Sequence, residues 1–314
     1  NIFQRHYIEI LTIAIWFVFG LSVHSQSNRH NTSVYNTSNG LSNNTITVLF
    51  TDSRGLLWIG TEDGLLRFDG YSFVTYRHCN TDSTSVAGNM IRHIDETPDG
   101  NIWIATVEHG LCVWQRSNNK FRCISNKKSV KNVLPELEIQ GMKVVDSNIY
   151  VKSRNYLSIV ESHSLKVESF PIIEHLIKRY DHGKASLFVI KQTNQLVIGG
   201  SDGCHLFDMA KREFIKTPPL LNFYGTVGQI THFDGQIVMS TNKGLAMYNE
   251  NLQLVGFSSS PLPDQQYQCM TEGLNGSLWI AGTQAIERLD SMNATPSVIL
   301  SDLTQIKDFG TSRI

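Results

Sequence analysis

The sequence lacks a surplus of charge of either sign. Its 27 Lys and Arg against 28 Asp and Glu leave a net charge of -1. It therefore offers neither the basic stripe of a nucleic-acid binder nor an acidic solvating tail. Cysteine is sparse and odd in number: Cys79, Cys112, Cys123, Cys204 and Cys269, with no Cys-x-x-Cys pair. That excludes a zinc ribbon and a dense disulfide framework. The phosphate-binding Gly-x-x-x-x-Gly-Lys loop, the His-Glu-x-x-His zinc motif and the Gly-x-Ser-x-Gly nucleophile elbow are absent. Asp308-Phe309-Gly310 spells a kinase metal-binding triplet, but no glycine-rich loop or catalytic loop accompanies it. The 11 histidines are scattered without ligand spacing. No metal and no cofactor is expected.

Long apolar runs are also missing, with one exception. Ile8 to Val23 is interrupted only by Glu9, Thr12 and Ser22, follows Arg5-His6, and leads into Val23-His24-Ser25. Residues 1–25 read as a secretory signal cut after Ser25, or as an N-terminal membrane segment if uncleaved. The polar residues 26–40 read as a linker or a ring-closing strand.

What the chain does have is glycine, 23 residues of it, between short apolar runs. One motif recurs. Leu57-Trp58-Ile59-Gly60-Thr61 returns as Ile102-Trp103-Ile104-Ala105-Thr106 and as Leu278-Trp279-Ile280-Ala281-Gly282. Looser copies centre on Tyr150, Val197 and Val238, so that the central positions step by 45, 47, 47, 41 and 41 residues. Each copy is preceded by an alternating run and a polar turn, such as Asp52-Ser53-Arg54-Gly55. Each is followed by a second turn, usually with glycine, and two more short runs. Four short strands at this period are the pattern of a β-propeller blade. The fold class is all-β: four-stranded antiparallel blades, six readable over residues 41–293, with seven expected for the ring. Residues 294–314 read as the start of a last blade or of a following immunoglobulin-like domain. If Arg116–Asn119 turn a hairpin, Cys112 faces Cys123 and Trp114 faces Phe121, with the two thiols free or bonded. The repeated tryptophans read as packing between blades.

Leu41-Ser42-Asn43-Asn44-Thr45-Ile46 and Asp52-Ser53-Arg54-Gly55-Leu56-Leu57-Trp58-Ile59-Gly60-Thr61-Glu62-Asp63-Gly64-Leu65-Leu66-Arg67-Phe68-Asp69-Gly70 resemble the two-component regulator propeller repeat. The resemblance covers Leu41 to about Asp290, and is strongest in the first two copies. It implies the periplasmic sensor region of a hybrid two-component histidine kinase of Bacteroidetes. It also implies a parent anchored in the inner membrane, acting as a homodimer, that senses an oligosaccharide or related glycan and controls polysaccharide utilisation genes. The kinase itself lies outside these residues, so the chain is expected to bind rather than catalyse and to make no direct contact with nucleic acid. A propeller enzyme, a lyase or glycan hydrolase using Glu62, Glu108 and His109, is one alternative. A protein-interaction platform is another.

Propellers bind where their blades converge, on the face carrying the turn between second and third strands and the connections between blades. The candidates there are Glu62, Asp63, Glu108, His109, Arg154, Asn155, Asp202, Asn242, Lys243 and Gln284. Asn44, Arg92, Tyr224 and Tyr267 lie before or at the start of first strands and join them. Carboxylates, amides and cations would hydrogen-bond sugar hydroxyls, and an aromatic face would pack on the ring.

Overall fold

The computed structural model describes residues 34–124, 133–172, 183–201, 203–222, 226–259, 267–273, 275–291, 294 and 296–301. The chain divides into an N-terminal unit, Asn1–Tyr35, and a second unit, Asn36–Ile314. Of the first, only Val34 and Tyr35 are described, without regular structure. The signal segment read over 1–25 lies outside the described residues. Among those residues no helix is long and apolar enough to cross a membrane.

The second unit is a propeller ring of six blades, each a four-stranded antiparallel sheet in sequence order. The first strands are Ile46–Thr51, Ile91–Glu96, Ile139–Val145, Ser186–Ile190, Val227–Phe233 and Tyr267–Glu272. They neighbour one another from blade to blade and form the inner wall. The fourth strands, from Phe73–Tyr76 in blade one to Ser297–Ser301 in blade six, form the rim. The six repeats are thus the six blades. The expected seventh finds no strands among the described residues, because Ser297–Ser301 pairs with Ala285–Leu289 as the rim of blade six. A ring-closing strand was the other reading for 26–40. Its described part, from Val34 to Gly40, holds turn and no strand.

Blade one shows why the motif folds this way. Gly55, at φ 81, closes the turn that Asp52 begins, and Asp52 accepts hydrogen bonds from the Arg54 and Leu56 amides. Its other oxygen accepts from the indole of Trp58 at 3.1 Å. Trp58 is fully buried against Trp114, with ring centroids 5.0 Å apart, edge to face. The small residue two places on allows the next blade to approach. A Cβ at Gly60 would lie 2.7 Å from Ile91 of blade two. The same site is Ala105 in blade two, Gly199 in blade four and Ala281 in blade six.

Blade two carries the expected hairpin. Cys112 pairs with Cys123 and Trp114 with Phe121. Both thiols are free, Cys112 buried and Cys123 half-buried.

Candidate functional site

Two sets of residues meet at one end of the blades. The first is the turn between second and third strands. In blades one, two and five a threonine clamps it: Thr61, Thr106 and Thr241 donate to the carbonyls of Gly64, Gly110 and Gly244 at 2.8–2.9 Å. The same hydroxyls accept from the amides of Asp63, His109 and Lys243. Gly64 and Gly244 take φ 117 and 142, which a side chain would strain.

The sequence-predicted residues lie largely on these turns, and local bonds hold several of them. Asp63 pairs with Arg77 at 2.9 Å and accepts from Asn89, both in the connection between blades one and two. The exposed His109 ring stacks on His78 of the same connection, with centroids 6.0 Å apart. Asn155 donates from backbone and side chain to Glu136 in the connection into blade three. Asn44 accepts from the Thr37 amide at 2.9 Å. Glu62, Glu108, Asn242, Lys243 and Gln284 are exposed, and Arg154 is half-buried. Tyr267 is not at the surface. Its hydroxyl donates to the fully buried Glu287 at 2.9 Å, and its ring joins the core between blades five and six. Asp202 and Tyr224 lie outside the described residues.

Of the second set, only Arg92 is among the sequence-predicted residues. In five of the six blades the first strand carries a β-bulge near its beginning, where it pairs with the second strand. The residues passed over are Thr47, Arg92, Gln140, the Gly228–Gln229 step and Gln268. A bulge gives one strand an extra residue and re-aims the local side chains. The recurrence sets these positions around the mouth of the ring, and their bonds run between blades. The Gln140 carbonyl bonds the His93 ring of blade two at 2.9 Å and accepts from the Ala185 amide of blade four at 2.7 Å. Gln229 holds Met270 of blade six by both its amide groups, at 2.8 and 2.7 Å. Ser186 accepts from the Ile230 amide.

Lys184, just before the first strand of blade four, donates to the Thr47 carbonyl of blade one at 2.9 Å. It also lies close enough to Arg92 of blade two and Cys269 of blade six to feel both. The bond joins blade four to blade one, which are not neighbours in the ring, and so places the ammonium near the axis. Burial pushes the Lys184 pKa down and the Arg92 charge pushes it further, while Cys269, once ionised, opposes them. His93 is pushed down to about 4, first by burial and then by the charges of Lys184 and Arg92. Lys152 is buried behind Gln140 and donates to the Gln140 side-chain oxygen and to the carbonyls of Ser153 and Arg154. The mouth is polar and amide-rich, with a positive centre. It suits hydroxyl and anionic groups better than apolar ones. Among the described residues no three His, Cys, Asp or Glu are grouped to hold a metal ion.

The family model described as the two component regulator propeller matches residues 28–63 and 85–108. A histidine kinase of Formosa agariphila is 31% identical over 80 residues, which is 26% of this chain and 6% of that protein. Among solved structures, the extracellular domain of a hybrid two-component system of B. thetaiotaomicron aligns with a TM-score of 0.69 at 20% identity. The alignment covers 86% of this chain and 36% of that one. The virginiamycin B lyase of Staphylococcus aureus aligns with a TM-score of 0.63 at 13% identity, over 82% of this chain and 86% of that one. At these identities the structural likenesses speak for the propeller fold. The chain spans only a small part of the kinase and about a third of that extracellular domain. The blade-one and blade-two motifs and the family match agree: residues 28–63 and 85–108 of this six-bladed ring match the two-component regulator propeller repeat.

Proposed function

We propose that the chain is the extracytoplasmic ligand-sensing propeller of a two-component sensor histidine kinase. In this reading it binds an oligosaccharide or related glycan at the axial mouth and turns nothing over. The parent is a membrane-anchored homodimer whose signal controls polysaccharide utilisation genes. The observation that carries the reading is the pairing of a two-component regulator repeat with a polar mouth built from the inner strands of several blades. Such a mouth can report occupancy. Its hydrogen bonds run from blade to blade, so a ligand that engages them favours one arrangement of the ring over another.

The test is a calorimetric screen of the chain against host and plant oligosaccharides, with product analysis by chromatography. Saturable binding of one glycan class without product supports the reading. Release of product, lost on changing Glu62, Glu108 or His109, would replace it with a propeller enzyme. Stable capture of a protein partner with no glycan binding would replace it with an interaction platform.

A further inference from the structure

Blade four stands across a six-bladed ring from blade one, so the bond from Lys184 to the Thr47 carbonyl spans the axis. Among the described residues the charged group that acts on this ammonium is the Arg92 guanidinium; burial raises the Cys269 pKa, so its thiol is neutral at pH 7. Arg92 is the residue passed over by the bulge in blade two, at the matching place to Thr47 in blade one. Lys184 is open to solvent although protein surrounds it, as a side chain lining a narrow wet channel would be. Behind it Lys152, buried, is held by an amide oxygen and two carbonyls. His93 is neutral at pH 7 and adds no charge, since its pKa lies at about 4.

Arg92 lies near enough to Lys184 to push its pKa down, and two like charges so placed raise each other's electrostatic energy. An anion placed between them lowers it, and charge-assisted hydrogen bonds add to the gain. A neutral sugar offers only its hydroxyls and leaves that repulsion in place. We propose that the axial mouth is a site for an anionic group, a carboxylate or a sulfate, clasped between Lys184 and Arg92. That the anion belongs to a glycan rests on the sensing reading above; the preference for negative charge does not.

The test titrates the chain, by calorimetry at matched ionic strength, with three probes: a galacturonate trisaccharide, a neutral galactose trisaccharide and inorganic sulfate. The acidic sugar is expected to bind at least about tenfold more tightly than the neutral one. Lys184→Gln and Arg92→Gln should each weaken it by roughly tenfold or more, and Lys184→Arg should keep it within about threefold. If the neutral sugar binds as well as the acid, or if both glutamine variants bind the acid like the parent chain, the anion site falls and the sensing reading stands. If neither sugar binds but sulfate does, with the same dependence on Lys184 and Arg92, the anion site stands and the glycan reading falls. If none of the three binds, the anion site is wrong.

Discussion

Trp58 and Trp279 hold the same place in the repeat and meet different surroundings. Trp58 is fully buried, lies edge-on to Trp114, and donates its indole N–H to Asp52. Arg116 of blade two reaches back to the same carboxylate at 3.2 Å and to Glu96 at 2.9 Å. Trp279 is only half-buried, and the residue six places before it is Gly273 rather than an aspartate. Trp103 falls between them. It is buried, yet Thr97 stands where the aspartate would, and its indole nitrogen has no hydrogen-bond partner among the described residues.

The apolar clusters tell the same story. Five of them each draw on two successive blades. The sixth, Leu41, Ile59 and Leu66 with their neighbours, comes from blade one and its lead-in alone. Among the described residues, the seam between blades six and one is therefore the least packed. The tryptophan is a wedge whose burial depends on the next blade, and the aspartate is a local anchor that the repeat keeps only in blade one.

Trp58→Ala should cost about 3–5 kcal/mol in urea unfolding, as other buried large-to-small changes do, and Trp279→Ala only about 1–2. Equal losses would mean that the sixth seam is as well packed as the first.

Asp52→Ala comes next, at about 2–4 kcal/mol, because it leaves the Trp58 indole and two amides without their acceptor and takes from Arg116 one of its two carboxylates. Burial raises the Asp52 pKa, but the bonds from Trp58, Leu56 and Arg54 and the charge of Arg116 outweigh it, so the folded value lies below the ordinary one. Its stabilising effect is then fully present above the unfolded value of about 3.9 and is lost as pH falls through the lowered folded value. An acid-unfolding series should show a shallower fall in stability for Asp52→Asn than for the parent chain.

The smallest effect is the sharpest. Trp58→Phe and Trp103→Phe remove similar volume, but only the first breaks a hydrogen bond. The first should cost more than the second by about 1–2 kcal/mol in the same unfolding assay. No difference would mean that the Asp52 anchor contributes nothing.

The blades were legible because their signal is local. A motif of Trp, branched residues and a small residue, set between two turns, needs no knowledge of the partner strand. The Cys112–Cys123 and Trp114–Phe121 pairings followed from the length of one hairpin. The second-to-third-strand turns were legible for the same reason, since Thr-x-x-Gly marks them in blade one and Thr-Asn-Lys-Gly in blade five.

The bulges were not legible. An extra residue is extra only relative to the facing strand, so Arg92, a candidate from its place at the start of a strand, is not seen as a bulge until its register with Thr106 and Ala105 is known. Lys184 carries no local mark at all, because its role comes from meeting blade one across the ring. Tyr267 could have been placed better. It opens its strand where blades one, two, three and five have Ile46, Ile91, Ile139 and Val227, an apolar position that points to the core.

Hydrogen–deuterium exchange of the chain, with and without a saturating oligosaccharide from the binding screen, tests the axial mouth most directly. Protection is expected at the beginnings of the first strands, around 46–48, 91–93, 139–141, 184–186 and 228–230, where the bulges and Lys184 gather. Protection confined to the rim strands, such as Phe73–Tyr76 and Leu254–Ser258, with the inner strand starts unchanged, would contradict it.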